Sequence, residues 1–172
     1  MAISLYDAFV PGCRQILAGL GKLVDKGEAF AAENGAGLID ARLAEDMWPL
    51  PWHIRACWLH SAQTLALIPA GEFSPDFTDI PDDWAAMRAM LADAASTLAA
   101  IEPDALEALV DKPVGFVLGG NRLFDMTGQN FLLSFNQPNF YFHATTFYDI
   151  LRAQGVPLSK RDFMGPLPII GA

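Results

Sequence analysis

NFYFHATTFYDILR (Asn139–Arg152) places five aromatic residues and one histidine within fourteen positions. Extended upstream, the stretch sets Leu133, Asn136, Phe140, His143, Phe147 and Ile150 at spacings of 3, 4, 3, 4 and 3. That rhythm is one seam of an α-helix turned toward a core. The spacing predicts a helix from about Gly128 to Gln154, stopped by Gly155 with Pro157 just beyond. His143 therefore lies on the buried seam, one turn from an aromatic residue on either side. It reads in three ways: a core histidine satisfied by hydrogen bonds, the wall of a pocket, or a metal ligand. The first is favoured, because buried polar groups are normally paired within the protein.

Three more segments carry the same rhythm. Phe9, Cys13, Ile16, Leu20, Leu23, Gly27 and Phe30 mark a first helix over residues 3–33, in which Pro11 predicts a bent or late start. Ile54, Trp58, Ser61, Leu65 and Ile68 mark a second, from about Pro51 to Ile68, with His53, Cys57, His60 and Thr64 as a stripe beside that seam. Trp84, Met87, Leu91, Ala94, Leu98 and Ile101 mark a third, preceded by Asp82 or Asp83 as N-cap. Before it, PAGEFSPDFTDIPDD (69–83) carries three prolines and five acids without a base, the composition of a solvated loop. VGFVLGGNRLFDM switches to a period of two around Gly119-Gly120-Asn121, a β-hairpin pattern. Together these predict one all-α domain over residues 1–172: an up-and-down four-helix bundle with a small β-hairpin inserted before the last helix.

Composition narrows the function. The 172 residues are 52% hydrophobic and 18% charged, with a net charge of −9 and a pI of about 4.5. An acid excess of this size argues against nucleic acid and anionic membranes as partners. No run approaches the roughly 18 apolar residues of a membrane span. The first residues, MAISLYDAFVPG, lack the basic and apolar regions of a secretion signal. A cytoplasmic protein is expected. Cys13 and Cys57 stand alone in apolar segments and read as reduced, buried thiols.

The candidate pocket residues are His143, Asn136, Asn139, Thr146, His53, Cys57 and His60. Pro138 cannot donate to the Ser134 carbonyl, which frees an acceptor near His143. His53 and His60, seven residues apart, are separated by about 10 Å of helix rise. Only one of them can share an ion with His143, and His53, near the start of its helix, reads also as a rim residue. Lys160, Arg161 and Asp162 read as a surface turn. The four tryptophans read as core and interface anchors. The tail GPLPIIGA is expected to dock on this subunit or another.

Four stretches, LYDAFVP (5–11), ARLAEDMWPL (41–50), NFYFHATTFYDILR (139–152) and GVPLSKRDFMG (155–165), resemble a bacterial domain-of-unknown-function family of the DinB/YfiT-like helical bundles. The resemblance implies a four-helix bundle, commonly dimeric. It also implies a divalent metal such as zinc or nickel, held by one histidine on the second helix and an H-x-x-x-H pair on the last. Related members are thiol-dependent transferases or metal-dependent hydrolases. Carried onto this chain, His53 or His60 takes the second-helix position and His143 one position of the pair. The other position is Phe147, which cannot ligate, and at position 53 the resemblance leads one to expect glutamine. The expectation is therefore a homodimer with an interhelical polar pocket, a small-molecule-binding or structural protein, with a metal-assisted hydrolase or thiol-dependent transferase of the DinB-like type as the alternative. It has no conventional three-histidine metal site and no cofactor, with His143, His60 and His53 as the candidate ligands should a metal bind.

Overall fold

The computed structural model describes residues 3–170. The chain is mostly helical, with a small three-stranded sheet. Helix α1 (Leu5–Asn34) starts where the Ser4 side chain accepts from the Asp7 amide and ends at Gly35 in the left-handed conformation. It runs through Pro11 without a late start. Phe9, Val10, Cys13, Leu17, Leu20, Leu23 and Val24 of α1 are buried in the core.

The second helical segment is composite. Helix α2 (Leu50–Trp58) passes into a π-helical stretch (Leu59–Gln63), then α3 (Thr64–Leu67), and ends in a 3-10 turn (Ile68–Ala70). The third is α4 (Trp84–Ala99), whose N-cap Asp83 accepts from the Ala86 amide at 2.7 Å. A short α5 (Pro103–Glu107) precedes the sheet. The fourth segment is α6 (Gly128–Asn130), a second π-helical stretch (Phe131–Asn136) and α7 (Gln137–Ala153). Helix α1 packs against α4 and α7, and α2 packs against both of these in turn. The apolar seams therefore close on one shared core.

Strands β2 (Pro113–Leu118) and β3 (Asn121–Thr127) pair antiparallel. Gly119 and Gly120 join them with φ of 57° and 80°, a turn that side chains with a Cβ resist. The sheet is larger than the simple hairpin read from the sequence. Chain leaving the second helical segment forms β1 (Glu72–Phe73), which lies parallel to β2 with Phe73 opposite Phe116. A two-residue strand has no periodicity to read, and it forms because Phe73 is fully buried beside the helices.

The tail turns back as α8 (Lys160–Met164), opened by a Ser159–Asp162 capping box. Asp162 also pairs with Lys26 at 2.6 Å, and that bond above all holds its carboxyl down to about 2. Residues 160–162 are thus a docked helix rather than a free surface turn. Helix α8 seats against α1, where a side chain at Gly19 would strike the Phe163 carbonyl. Phe163 meets Tyr148 edge-on, covering part of the second face of α7. Phe142 remains 57% exposed. Among the described residues, no helix is long and apolar enough to cross a membrane.

Candidate functional site

The two π-helical stretches are joined through His60 and Asn136, and beside them His53 on α2 meets His143 on α7. A π turn widens the helix by one residue and leaves carbonyls to be satisfied by side chains. The Leu59 carbonyl accepts from the Thr64 hydroxyl at 2.8 Å, and the Phe131 carbonyl from Asn136 Nδ2 at 3.1 Å. With Nδ2 so placed, Asn136 Oδ1 is an acceptor. It lies 2.9 Å from His60 Nδ1, which ties one stretch to the other, and 2.9 Å from the Thr64 oxygen, whose single proton it shares with the Leu59 carbonyl. All of these groups are buried.

His53 and His143 meet through their Nδ1 atoms at 3.0 Å, with ring centroids 5.2 Å apart. The His60 ring lies nearly parallel to that of His143, its centroid at 6.1 Å and its plane inclined by 8°. The hydrogen bonds assign the tautomers. His53 Nε2 lies 3.1 Å from the Trp48 carbonyl, which can only accept, so this nitrogen carries the proton. In a neutral ring, Nδ1 of His53 is then bare and accepts from His143 Nδ1–H, which leaves His143 Nε2 as a lone pair. The same logic puts the His60 proton on Nδ1, facing Asn136, and leaves its Nε2 bare. Among the described residues neither Nε2 has a hydrogen-bond partner, and neither is sealed from solvent.

Burial favours neutral rings throughout. It pushes His143 down to about 3, reinforced by His53 and His60. It pushes His60 down to about 4, against the bond to Asn136 and with the help of the Arg55 charge. His53 is also lowered by burial, opposed by its bond to Trp48.

The bare nitrogens belong to residues that line a cavity of about 160 Å³. Its walls are largely aromatic: Trp48, Trp52, Phe73, Phe77, Phe116 and Phe135. Trp48 continues the histidine stack, its ring 5.9 Å from His143 and within 13° of parallel. Asn139, Arg55 and Asp76 complete the polar lining.

Several sequence expectations are corrected by this geometry. His53 is not a rim residue but is 2% exposed, because the chain before α2 folds across the helix start and sets the Trp48 carbonyl on its ring. His143 bonds to His53 and not to Asn136, Asn139 or Thr146. Nearby backbone acceptors claim those side chains: Asn139 donates to the Phe135 carbonyl and Thr146 to the Phe142 carbonyl. Cys57 points away from the histidines toward the Phe140 carbonyl, at 3.7 Å. Burial pushes its thiol up, and Cys13 up to about 12, so neither resembles a reactive thiolate. Trp48 and Trp52 line the cavity, Trp58 lies under Arg55, and Trp84 packs on Gly27.

Sequence reasoning passed over Arg55 as a site residue. It is a lone cation in the apolar run LPWHIRACW, a visible signal. Its partner was not legible among the five acids of the following loop. The structure selects Asp76, 2.6 Å from Nη2.

The residues do not fit a three-histidine metal centre. Both nitrogens of His53 are engaged, and Phe147 fills the place of a further ligand as a fully buried core side chain. Among the described residues, no group of three or more His, Cys, Asp or Glu side chains is arranged to hold a metal.

A mostly helical chain built in this way is a DinB-like domain. It is similar to the crystal structure of a DinB family member protein from Shewanella denitrificans, with a TM-score of 0.79 and 28% identity over 96% of this chain and 94% of that one. The family described as Domain of unknown function (DUF1993) matches residues 5–164, and the chain belongs to it. No curated protein matches the chain.

Proposed function

We propose that this protein is a small-molecule-binding domain whose ligand presents an O–H or N–H donor to the bare Nε2 atoms of His143 and His60. The observation that carries this reading is the chain from the Trp48 carbonyl through His53 to His143. It spends both nitrogens of one buried histidine to fix the tautomer of a second, a cavity-lining ring left with a bare Nε2. A histidine serving only as packing needs no such orientation. Aromatic walls around a few fixed polar groups are the usual make-up of a ligand site. A cavity of about 160 Å³ is of the size that admits one six-membered ring. The placement of π-helical turns on both walls adds support, since such turns recur at functional sites.

The reading extends to the whole molecule. The four helical segments and their mutual packing support an up-and-down bundle with the β2–β3 pair inserted before the last helix. We take the chain to act as a cytoplasmic homodimer without a resident cofactor. Exposed Leu43 and Phe142, which share a shallow groove with Met47, support the dimer, and the acidic charge supports an aqueous setting away from nucleic acid.

Calorimetric titration with phenol and with anisole tests the binding reading. The two rings are alike, but only phenol has a donor. Losing one hydrogen bond to a buried acceptor is worth about 1–3 kcal/mol, so anisole should bind roughly 5- to 150-fold more weakly. Equal affinities, or no saturable binding of either, would overturn the proposal.

A further inference from the structure

Arg55 is the cavity's one fixed cation among the described residues, and it is held unusually for a side chain that is only 5% exposed. Its guanidinium lies over the Trp58 ring at 4.6 Å. Nε donates to the Thr78 carbonyl at 3.1 Å, and Nη2 donates to Asp76. Nη1 is buried and has no hydrogen-bond partner among the described residues. An unsatisfied donor on a buried charge is costly, and native proteins rarely keep one without a use.

The acceptor that would complete this group is not supplied by the described residues. Pro75, Asp76 and Phe77 lie over the cavity in a segment without regular structure. Arg55 ties that segment down through Asp76 and Thr78, and Gln63 adds a bond to Asp76 at 3.4 Å. Phe77 sits against Trp48 and Trp52 at the mouth. Nη1 is covered in this arrangement, so a ligand group reaches it only when the side chains around it give way.

We infer that the cavity is selective for single-ring carboxylic acids, with the carboxylate held by Arg55 and a ring hydroxyl or N–H donated to His143 or His60. This rests on the small-molecule reading above and adds the chemical class. A carboxylate is planar and matches the guanidinium fork. Asp76 beside the site, on a protein of net charge −9, disfavours a doubly charged group such as a phosphate ester. The imidazole end offers acceptors alone, so the ligand's other end must donate. The aromatic walls take the ring between them.

Calorimetric titration of the full chain with 4-hydroxybenzoate, phenol and acetate tests this. A charge-assisted hydrogen bond predicts that 4-hydroxybenzoate binds at least about tenfold more tightly than phenol, and that acetate does not bind measurably. Arg55→Gln should bring the affinities for acid and phenol together, whatever it does to binding as a whole, because the comparison is between two ligands on one variant. Asp76→Asn, on a half-exposed loop residue, should raise the acid's affinity by removing a competing carboxylate; it decides the matter if Arg55→Gln fails to fold. Should phenol bind as tightly as the acid, or Asp76→Asn leave the acid's advantage unchanged, the carboxylate inference is wrong and the cavity reading stands. If neither ring compound binds, both are wrong.

Discussion

Mild acid should destabilise this protein through its histidines, and the size of the effect follows from their burial. The unfolded chain takes up protons on imidazoles near pH 6.5, whereas His143 resists until about 3 and His60 until about 4. A depressed folded pKa gives stability that is fully present above the unfolded value and lost as pH falls toward the folded one. From pH 7.5 to 5.0, each of the two rings therefore costs about 2 kcal/mol, since roughly 1.5 pH units lie below 6.5 at 1.36 kcal/mol each. His53 shifts in the same direction. Asp162, held near 2, titrates far below this window. Partial relief of the net negative charge opposes the loss, so the clean quantity is a difference between variants. Urea unfolding followed by circular dichroism, for the wild type and His143→Gln at both pH values, isolates it. The wild type should lose about 2 kcal/mol more than the variant on acidification. An equal loss in both proteins would show that His143 titrates normally and is not held neutral in the folded state.

Three further outcomes follow from packing. Phe147→Ala should cost about 3–5 kcal/mol, because the ring is fully buried in the core, and His60→Ala less, at about 1–3 kcal/mol; urea midpoints in the reverse order would refute the phasing of the fourth helix. Gly19→Ala should loosen α8, since the new methyl meets the Phe163 carbonyl, and would be seen as faster amide exchange over residues 159–165 while α1 stays protected; unchanged exchange there would contradict the docking. Light scattering should give twice the 18.7 kDa chain mass, and Phe142→Asp should return it to the single-chain value; a monomer at micromolar concentration in the wild type would end the dimer reading.

The sequence made the helices legible because their seams keep one period over many turns. The glycine turn at 119–120 was equally plain, a local rule acting on local residues, whereas the cap of the third helix was narrowed only to Asp82 or Asp83 until the structure selected Asp83. The π-helical stretches were not, since the hydrophobic spacing of residues 54–68 and 133–150 fits an ordinary helix as well. In those stretches Asn136 bonds to His60, whereas Asn139 and Thr146, named with it as candidates, bond to carbonyls of their own helix. The His53–His143 contact joins positions 90 residues apart, and it depends on how Trp48 folds over the start of α2. Arg55 shows the remaining gap: a lone cation among apolar neighbours signals a special role, but only the fold names Asp76 and leaves Nη1 unpaired.

The central claim is that His53 is spent on orienting His143, and long-range proton–nitrogen NMR of the uniformly nitrogen-15-labelled protein near pH 7 tests it most directly. The account predicts three neutral rings: His53 protonated on Nε2, and His143 and His60 protonated on Nδ1, with the unprotonated Nε2 signals of the latter two shifting when phenol is added. A His143 ring protonated on Nε2, or averaging rapidly between tautomers, would contradict it.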